Sequence, residues 1–281
     1  MWDWKDKNVL VTGGAGGIGS ALTEALLRLP VRVVRVFDVD EYGLFLLKKR
    51  LSDPRLRFLL GDVRDRERVK LALAGVDVVY HLSAAKNMEI TEYNCPETVR
   101  TNVDGTVNMV ECSFEAKPER FIFCSSDKAV EPSSLYGATK LLGEKIVLWG
   151  NSVSDDTLFG VVRFGNVIES RGNVFDVWRR QAEAGEALSL TDPRMTRLFL
   201  HIEEAVSLLL KSCELMEGGE IFLPEAKQVN IMEMAKETGS EVRIIGARRG
   251  EKLEEKLYTP SEAERMEKIG DMYVIKRAMR G

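Results

Sequence analysis

Histidine and cysteine are scarce: only His81 and His201, and only Cys95, Cys112, Cys124 and Cys213, occur in the 281 residues. Neither histidine stands beside a second plausible metal ligand and no two cysteines have C-x-x-C spacing, so no zinc site is expected and no metal is assigned. Cys112 and Cys124 fall in apolar segments, and buried free thiols are the reading for such cysteines. No run reaches the ~18 apolar residues that a bilayer span requires. The start, Met1-Trp2-Asp3-Trp4-Lys5, lacks the apolar core of a signal peptide, so a cytoplasmic protein without a membrane span is expected. There is no long basic run and the net charge is −4, which gives nucleic acid nothing to favour it as a partner. The short clusters Lys48-Lys49-Arg50 and Arg248-Arg249 read as solvated faces. No internal repeat, low-complexity tract or long linker is visible, so the lobes of the chain are expected to move little as separate bodies.

What remains is a chain 44% hydrophobic and 30% charged, as in soluble globular proteins, and long enough for one large domain or two. It is organised around Ser125 to Lys140, SSDKAVEPSSLYGATK, which follows the apolar run Phe121-Ile122-Phe123-Cys124. Tyr136 and Lys140 are four residues apart and share a helix face, where an ammonium can favour a phenolate and make tyrosine a general base. Ser126, Asp127 and Lys128 place a hydroxyl, a carboxylate and an amine at the end of an expected strand, where open parallel sheets hold ligands. Taken alone, the same residues also describe an exposed helix pair and a solvated turn.

The N-terminus adds weight to the first reading. Lys7 to Thr12 reads as a buried strand, Gly13-Gly14-Ala15-Gly16-Gly17-Ile18-Gly19 follows at once, and Ile18, Leu22, Ala25, Leu26 and Leu29 keep a helical period. Gly13, Gly16 and Gly19 are spaced to let backbone N–H groups approach a pyrophosphate at a helix N-terminus, with Gly17 and Ile18 between them. Val31 to Phe37 forms a second strand ending at Asp38. A carboxylate there accepts hydrogen bonds from a ribose and repels a 2′-phosphate, so NAD is expected and NADP is less favoured.

The alternation continues through Arg57 to Leu60, a helix from Arg66 to Leu73, and Val76 to Leu82. Asp62 and Val63 are placed to meet an adenine, or simply to cap a strand. Ala84 and Ala85 leave room for a cofactor, and Lys86 reaches a substrate or a ribose. Glu97 to Ala116 reads as one long helix, whose internal Asn102 and Gly105 call for a polar tie or close packing. With a helix from near Ser134 and a strand at Phe159 to Phe164, six strands alternate with helices and predict an α/β fold, a doubly wound parallel sheet of the Rossmann kind. Residues 1–166 are expected to form the dinucleotide-binding domain. Residues 167–281 are expected to form mainly a smaller C-terminal substrate-binding lobe, with some segments returning to the core. Glu203 to Leu215 and Val229 to Glu237 have the spacing of amphipathic helices.

TGGAGGIG, FDVDE, GDVRD and YGATK, in that order, resemble the extended short-chain dehydrogenase/reductase superfamily over nearly the whole chain. Within it, SSDKAVEPSSLYGATK, RFGNVIESRGNV, TDPRMTRLFL, GARRGEKLEEKL and HLSAAKNMEI are similar to the polysaccharide-biosynthesis branch, which holds CapD-like proteins and inverting UDP-N-acetylglucosamine 4,6-dehydratases. That resemblance implies a UDP-sugar substrate and tightly held NAD. It implies Tyr136 as base for the sugar 4-hydroxyl, Lys140 holding the phenol and a ribose, and Ser126 bonded to the same hydroxyl. Asp127 would be the acid that protonates the departing 6-oxygen, and Lys128 the base that takes the C5 proton. Asn166 would bind the diphosphate or sugar, Gly172, Asn173 and Val174 would lie along the nucleotide, Arg197 would be a nucleotide-side contact, and Arg249 and Glu251 would close over uridine and phosphate. The resemblance also implies a homo-oligomer, with helices near 97–116 and 134–149 as packing surfaces. The end of the chain is shorter than is typical of the branch, which bears on how much substrate lid it carries. Two other readings stay open: a UDP-sugar 4-epimerase, which needs Tyr136 and the cofactor only, and a dinucleotide-binding sensor without turnover.

Overall fold

The computed structural model describes residues 2–170 and 173–277. Its centre is a nine-stranded sheet. Six parallel strands, β1 (Asn8–Thr12), β2 (Val33–Asp38), β3 (Leu56–Leu60), β4 (Val78–His81), β5 (Arg120–Ser126) and β6 (Leu158–Phe164), lie in the order β3-β2-β1-β4-β5-β6. Val9, Leu10 and Val11 of β1, and Val78, Val79 and Tyr80 of β4, are fully buried. A strand covered on both faces needs continuous apolar residues, which is how these segments read. The sequence of six strands misses a seventh: Ile221–Pro224 pairs parallel to β6, and Met272–Ile275 and Met266–Ile269 then add antiparallel. Four-residue runs late in the chain give too little periodicity to be told from loops.

Helices cover both faces. Helix α1 (Gly17–Leu26) and the helix Ile202–Leu215 pack on one side, where Leu22, Leu26, Leu209 and Cys213 are fully buried. Truncating a leucine such as Leu22 to alanine costs about 2–5 kcal/mol. The helices Arg66–Leu73, Gly105–Ala116 and Leu135–Val153 close the other side over Leu73, Val110, Phe121 and Phe159.

The helix expected at 97–116 is continuous but not regular: a π turn at Arg100–Asp104 joins Cys95–Val99 to Gly105–Ala116. Asn102 lies in that turn, and its side chain accepts from Ala85 N–H at 2.8 Å and donates to the Ala85 carbonyl at 2.9 Å and Thr139 Oγ1 at 3.0 Å. A Cβ on Gly105 would stand 2.6 Å from Val63 Cγ2. Both residues thus fix the loop after β4 and the adjoining helix to the sheet. A second difference is that Val229 lies in a short strand, Gln228–Asn230, and the helix begins only after it, at Ile231–Glu237. Among the cysteines, Cys112, Cys124 and Cys213 are buried and free, whereas Cys95 is free and exposed.

Beyond β6 two small sheets stand over the carboxyl ends of the strands: Asn166–Val167 with Thr196–Leu200 and Gln228–Asn230, and Leu188–Leu190 with Val242–Ile244. Trp178, Leu188, Leu190, Met195 and Ile231 form their own small core. Arg163, at the end of β6, binds this part of the chain to the sheet. Its guanidinium meets both oxygens of Glu144, at 2.9 and 2.6 Å, the Leu257 carbonyl at 2.7 Å, and Glu262 at 3.2 Å.

Candidate active site

A cleft of about 970 Å³ runs along the carboxyl ends of β1, β2, β4, β5 and β6. One end is built by the glycine turn. Gly13 has φ +66°, and a Cβ on it would stand 2.8 Å from Ser83 N; on Gly19 it would stand 2.2 Å from the Gly13 carbonyl. Only glycine allows β1, α1 and the loop after β4 to approach this closely. Gly16 caps α1, and Gly16, Gly17, Ile18 and Gly19 all line the cleft. The N-terminal N–H groups of α1 therefore present a positive end to it.

Asp38 ends β2 at the same rim, its carboxylate accepting from Ala15 N–H at 2.9 Å and Asp40 N–H at 3.0 Å. Each oxygen keeps a lone pair for a further donor. Two of the basic residues that could receive a 2′-phosphate are turned elsewhere: Arg35 donates to the Ala72 and Ala74 carbonyls, and Arg50 pairs with Glu24 at 3.0 Å. Asp62 and Val63 line the cleft, with Asp62 held by Arg64 at 2.6 Å and Val63 packed on Gly105. Ala84, Ala85 and Lys86 line it from the loop after β4. Lys86 has no hydrogen bond or ion pair among the described residues. It reaches solvent at the cleft mouth, yet protein surrounds much of it, and this desolvation draws its ammonium below the ordinary lysine value.

At the other end, β5 delivers Ser126 and a 3₁₀ turn carries Asp127–Ala129. Asp127 is fully buried; its Oδ1 accepts from the Ser126 hydroxyl at 2.7 Å and from Lys128 Nζ at 3.0 Å, while its Oδ2 has no hydrogen-bond partner. Ser134 caps the helix Leu135–Val153 through Gly137 N–H at 3.1 Å, which sets Tyr136 and Lys140 in the first turns. A Cβ on Gly137 would lie 2.2 Å from the Lys128 carbonyl, so this residue must be glycine for the helix to close on the turn.

Tyr136 and Lys140 are both buried and both line the cleft. Their relationship differs from the one expected from four-residue spacing. Lys140 Nζ donates to the Cys124 carbonyl at 2.7 Å and lies over the Phe123 ring. Burial, together with Cys124 and Asp127, holds the Tyr136 phenol well above the ordinary tyrosine value, and only the neighbouring Ser126 hydroxyl pulls it back. Burial also lowers Lys140.

The far wall comes from the later segments. Asn166, Asn173, Val174 and Arg197 line the cleft. Asn173 is engaged as a helix cap, accepting from Asp176 N–H at 3.0 Å and donating to the Val167 carbonyl at 3.1 Å. Arg197 donates to the Thr196 carbonyl at 2.8 Å, and no carboxylate neutralises it among the described residues. Gly172 lies outside the described residues. Arg249 is exposed and does not line the cleft; Arg248 does, paired with Glu89 at 3.1 Å, and Glu251 beside it accepts from Arg248 N–H at 2.8 Å. Gly250, which follows Arg249, has φ +81°, and a Cβ on it would stand 2.8 Å from Ser134 Cβ.

One cleft residue carries no local signal in the sequence. Glu255 is buried, 3.9 Å from Lys128 Nζ and 3.3 Å from Lys252 Nζ. The segment holding it is neither helix nor strand, so no periodicity marks which of its acidic residues turns inward.

A family described as polysaccharide biosynthesis protein matches residues 9–277. The chain is 42% identical to an uncharacterized membrane protein of Methanocaldococcus jannaschii, over 97% of this chain and 86% of the other. It is 37% identical to a UDP-N-acetylglucosamine 4,6-dehydratase (inverting) of Campylobacter jejuni, over 96% and 82%. It is 32% identical to a UDP-glucose 4-epimerase of Rickettsia canadensis, over 96% and 83%. The solved structure of Pen from Bacillus thuringiensis superposes with a TM-score of 0.92 at 33% identity, covering 98% of this chain and 91% of that one. Among the described residues, no helix is long and apolar enough to cross a membrane.

Proposed function

Because the chain belongs to the polysaccharide biosynthesis protein family, we propose that it is a nucleotide-sugar 4,6-dehydratase acting on UDP-N-acetylglucosamine with inversion at C5. The reading draws on the dehydratase of Campylobacter jejuni. The observation that carries it is the Ser126–Asp127–Lys128 cluster, where a fully buried carboxylate holds a hydroxyl and an amine on one oxygen and leaves the other oxygen unbonded. An epimerase has no need of an acid and a base there.

The glycine turn, the α1 N-terminus and Asp38 fit a dinucleotide, and the Asp38 carboxylate, with Arg35 and Arg50 engaged elsewhere, favours NAD over NADP. Bound NAD would accept hydride from the sugar C4 and return it to C6. Tyr136, with Ser126, would take the 4-hydroxyl proton. Once C4 is a ketone, the C5 proton is acidic and the 6-hydroxyl lies beta to it. Lys128 would take that proton while Asp127 protonates the 6-oxygen, which leaves as water. The Lys128 ammonium is ion-paired here, so it must shed a proton before it can act as base. Transfer of that proton to Asp127, 3.0 Å away, would make Asp127 an acid and Lys128 a free amine together. Arg197 and Arg248 would face the diphosphate. Tyr93, Leu142, Trp149 and Val153 leave apolar side chains exposed on the helices at 88–116 and 135–153, which supports a homo-oligomer packed through them; sedimentation would give its size.

The test is an NMR time course with UDP-N-acetylglucosamine in heavy water. A 4-keto-6-deoxy product with deuterium at C5 and inverted configuration there is expected. Inversion at C4 alone without deuterium would establish the epimerase reading, which the Rickettsia relative favours. Retained cofactor with no change in this or other sugars would leave a sensor.

A further inference from the structure

We infer that Glu255 and Lys252 form a charge clamp that sets where the proton sits in the Asp127–Lys128 pair, with Glu255 a positioning residue for Lys128. The inference rests on the dehydratase reading for its consequence, and on four side chains for its substance. Asp127 and Glu255 flank Lys128 Nζ from opposite segments of the chain, at 3.0 and 3.9 Å. Both carboxylates are buried, and each has one oxygen without a hydrogen bond. Glu255 Oε2 lies 3.3 Å from Lys252 Nζ, and Lys252 is itself anchored on the Val130 carbonyl at 2.6 Å. Charges therefore alternate along Asp127, Lys128, Glu255 and Lys252, with both carboxylates buried and both ammoniums partly exposed.

The other groups around this array are few. Tyr136 faces it from the helix Leu135–Val153, and Glu131 with Lys256, paired at 3.2 Å, stands further out. Lys86 and Lys140 share the cleft.

A carboxylate beside an amine favours the ammonium, and a cation beside that carboxylate offsets the effect. Glu255 thus holds the proton on Lys128, whereas Lys252 weakens that hold and eases transfer to Asp127. The two residues act with opposite sign on one proton. A merely structural role for Glu255, as packing at the base of the cleft, predicts no such opposition.

The test compares the pH dependence of C5 deuterium incorporation in wild type, Glu255→Gln and Lys252→Met, each loaded with NAD and given UDP-N-acetylglucosamine. Glu255→Gln should move the acid limb to lower pH by about one to three units, and Lys252→Met should move it upward by about one. C4 oxidation, read as reduced nicotinamide absorbance in a single turnover, should be unchanged in both, because Tyr136 serves that step. A second readout needs no sugar: the Lys128 amine resonance, assigned by its loss in Lys128→Arg, should titrate in the same order in the three proteins. Shifts of the same sign, or none, in either readout overturn the inference. Absence of C5 deuterium in wild type overturns the dehydratase reading instead, and the lysine titration then still decides the clamp. If Glu255→Gln does not fold, the upward shift in Lys252→Met remains the deciding result.

Discussion

Lys140 donates its ammonium to the carbonyl of Cys124, at 2.7 Å, and not to the phenol one helical turn before it. Strand β5 and the helix Leu135–Val153 are joined at that bond, directly beneath the catalytic cluster at the strand's end. Burial, with Cys124 and Asp127, holds the Tyr136 phenol protonated here, so under the proposed mechanism bound NAD would supply the positive charge that favours its phenolate. In the cofactor-free protein Tyr136 should therefore stay protonated through the neutral range and beyond the ordinary tyrosine value of 10.0. Subtracting the ultraviolet titration of Tyr136→Phe from that of wild type isolates its signal. Adding NAD should bring the transition to lower pH, and a cofactor-free transition below about 10 would contradict this account. Tyr136→Phe itself should lose C4 oxidation by about 10²–10⁴-fold while still binding NAD.

In the proposed reaction Lys128 enters only after C4 is oxidised. Lys128→Ala should abolish elimination and C5 exchange but spare the single-turnover formation of reduced nicotinamide. Loss of both half reactions would mean that Lys128 serves binding or structure, for instance by holding the buried Asp127 carboxylate.

Asp38 has a structural duty and, in the proposed reading, a binding one. Its side chain accepts from Ala15 N–H within the glycine turn and faces the cleft where a ribose would lie. Asp38→Ala should weaken NAD binding by about 10-fold or more, as expected for lost hydrogen bonds to a charged acceptor worth about 1.5–3 kcal/mol. Titration with reduced nicotinamide dinucleotide, followed by its fluorescence, gives the affinity. Unchanged binding would remove Asp38 from the site.

Arg163 joins the sheet to the C-terminal segment through Glu144 and Glu262. Glu144→Gln removes one partner of a buried ion pair and should cost about 3–5 kcal/mol in urea unfolding. Glu262 adds a pH dependence. Its burial acts to raise its pKa, but the hydrogen bonds and charge of Arg163 outweigh this and bring it below the ordinary 4.5. A carboxyl lowered in the folded state contributes its full stability above the unfolded value and loses it as pH falls through the folded one. Stability should thus be insensitive to Glu262 above about pH 5 and decline below its ordinary value of 4.5. Glu262→Gln should flatten that decline; an identical acid profile would exclude the pair as a contributor.

The alternation of six strands with helices, the glycine turn, Asp38 and the Ser126–Lys140 stretch were legible in the residues, because each depends on spacing within one segment: apolar runs, a strand followed by glycines, residues four apart on a helix. Asn102 and Gly105 were also visible as residues out of place in a helix, and their partners at Ala85 and Val63 account for them. Spacing could say that Tyr136 and Lys140 share a face, but not what each would bond to, since Cys124 offered its carbonyl from the neighbouring strand. It could not tell Arg248, which lines the cleft beside Glu89, from Arg249, which does not. Nor could it find Glu255, whose meeting with Lys128 spans more than a hundred residues. Local pattern determines elements and the residues at their ends; burial, pairing and proton position depend on which distant charges are brought out of water together, and only the folded chain decides that.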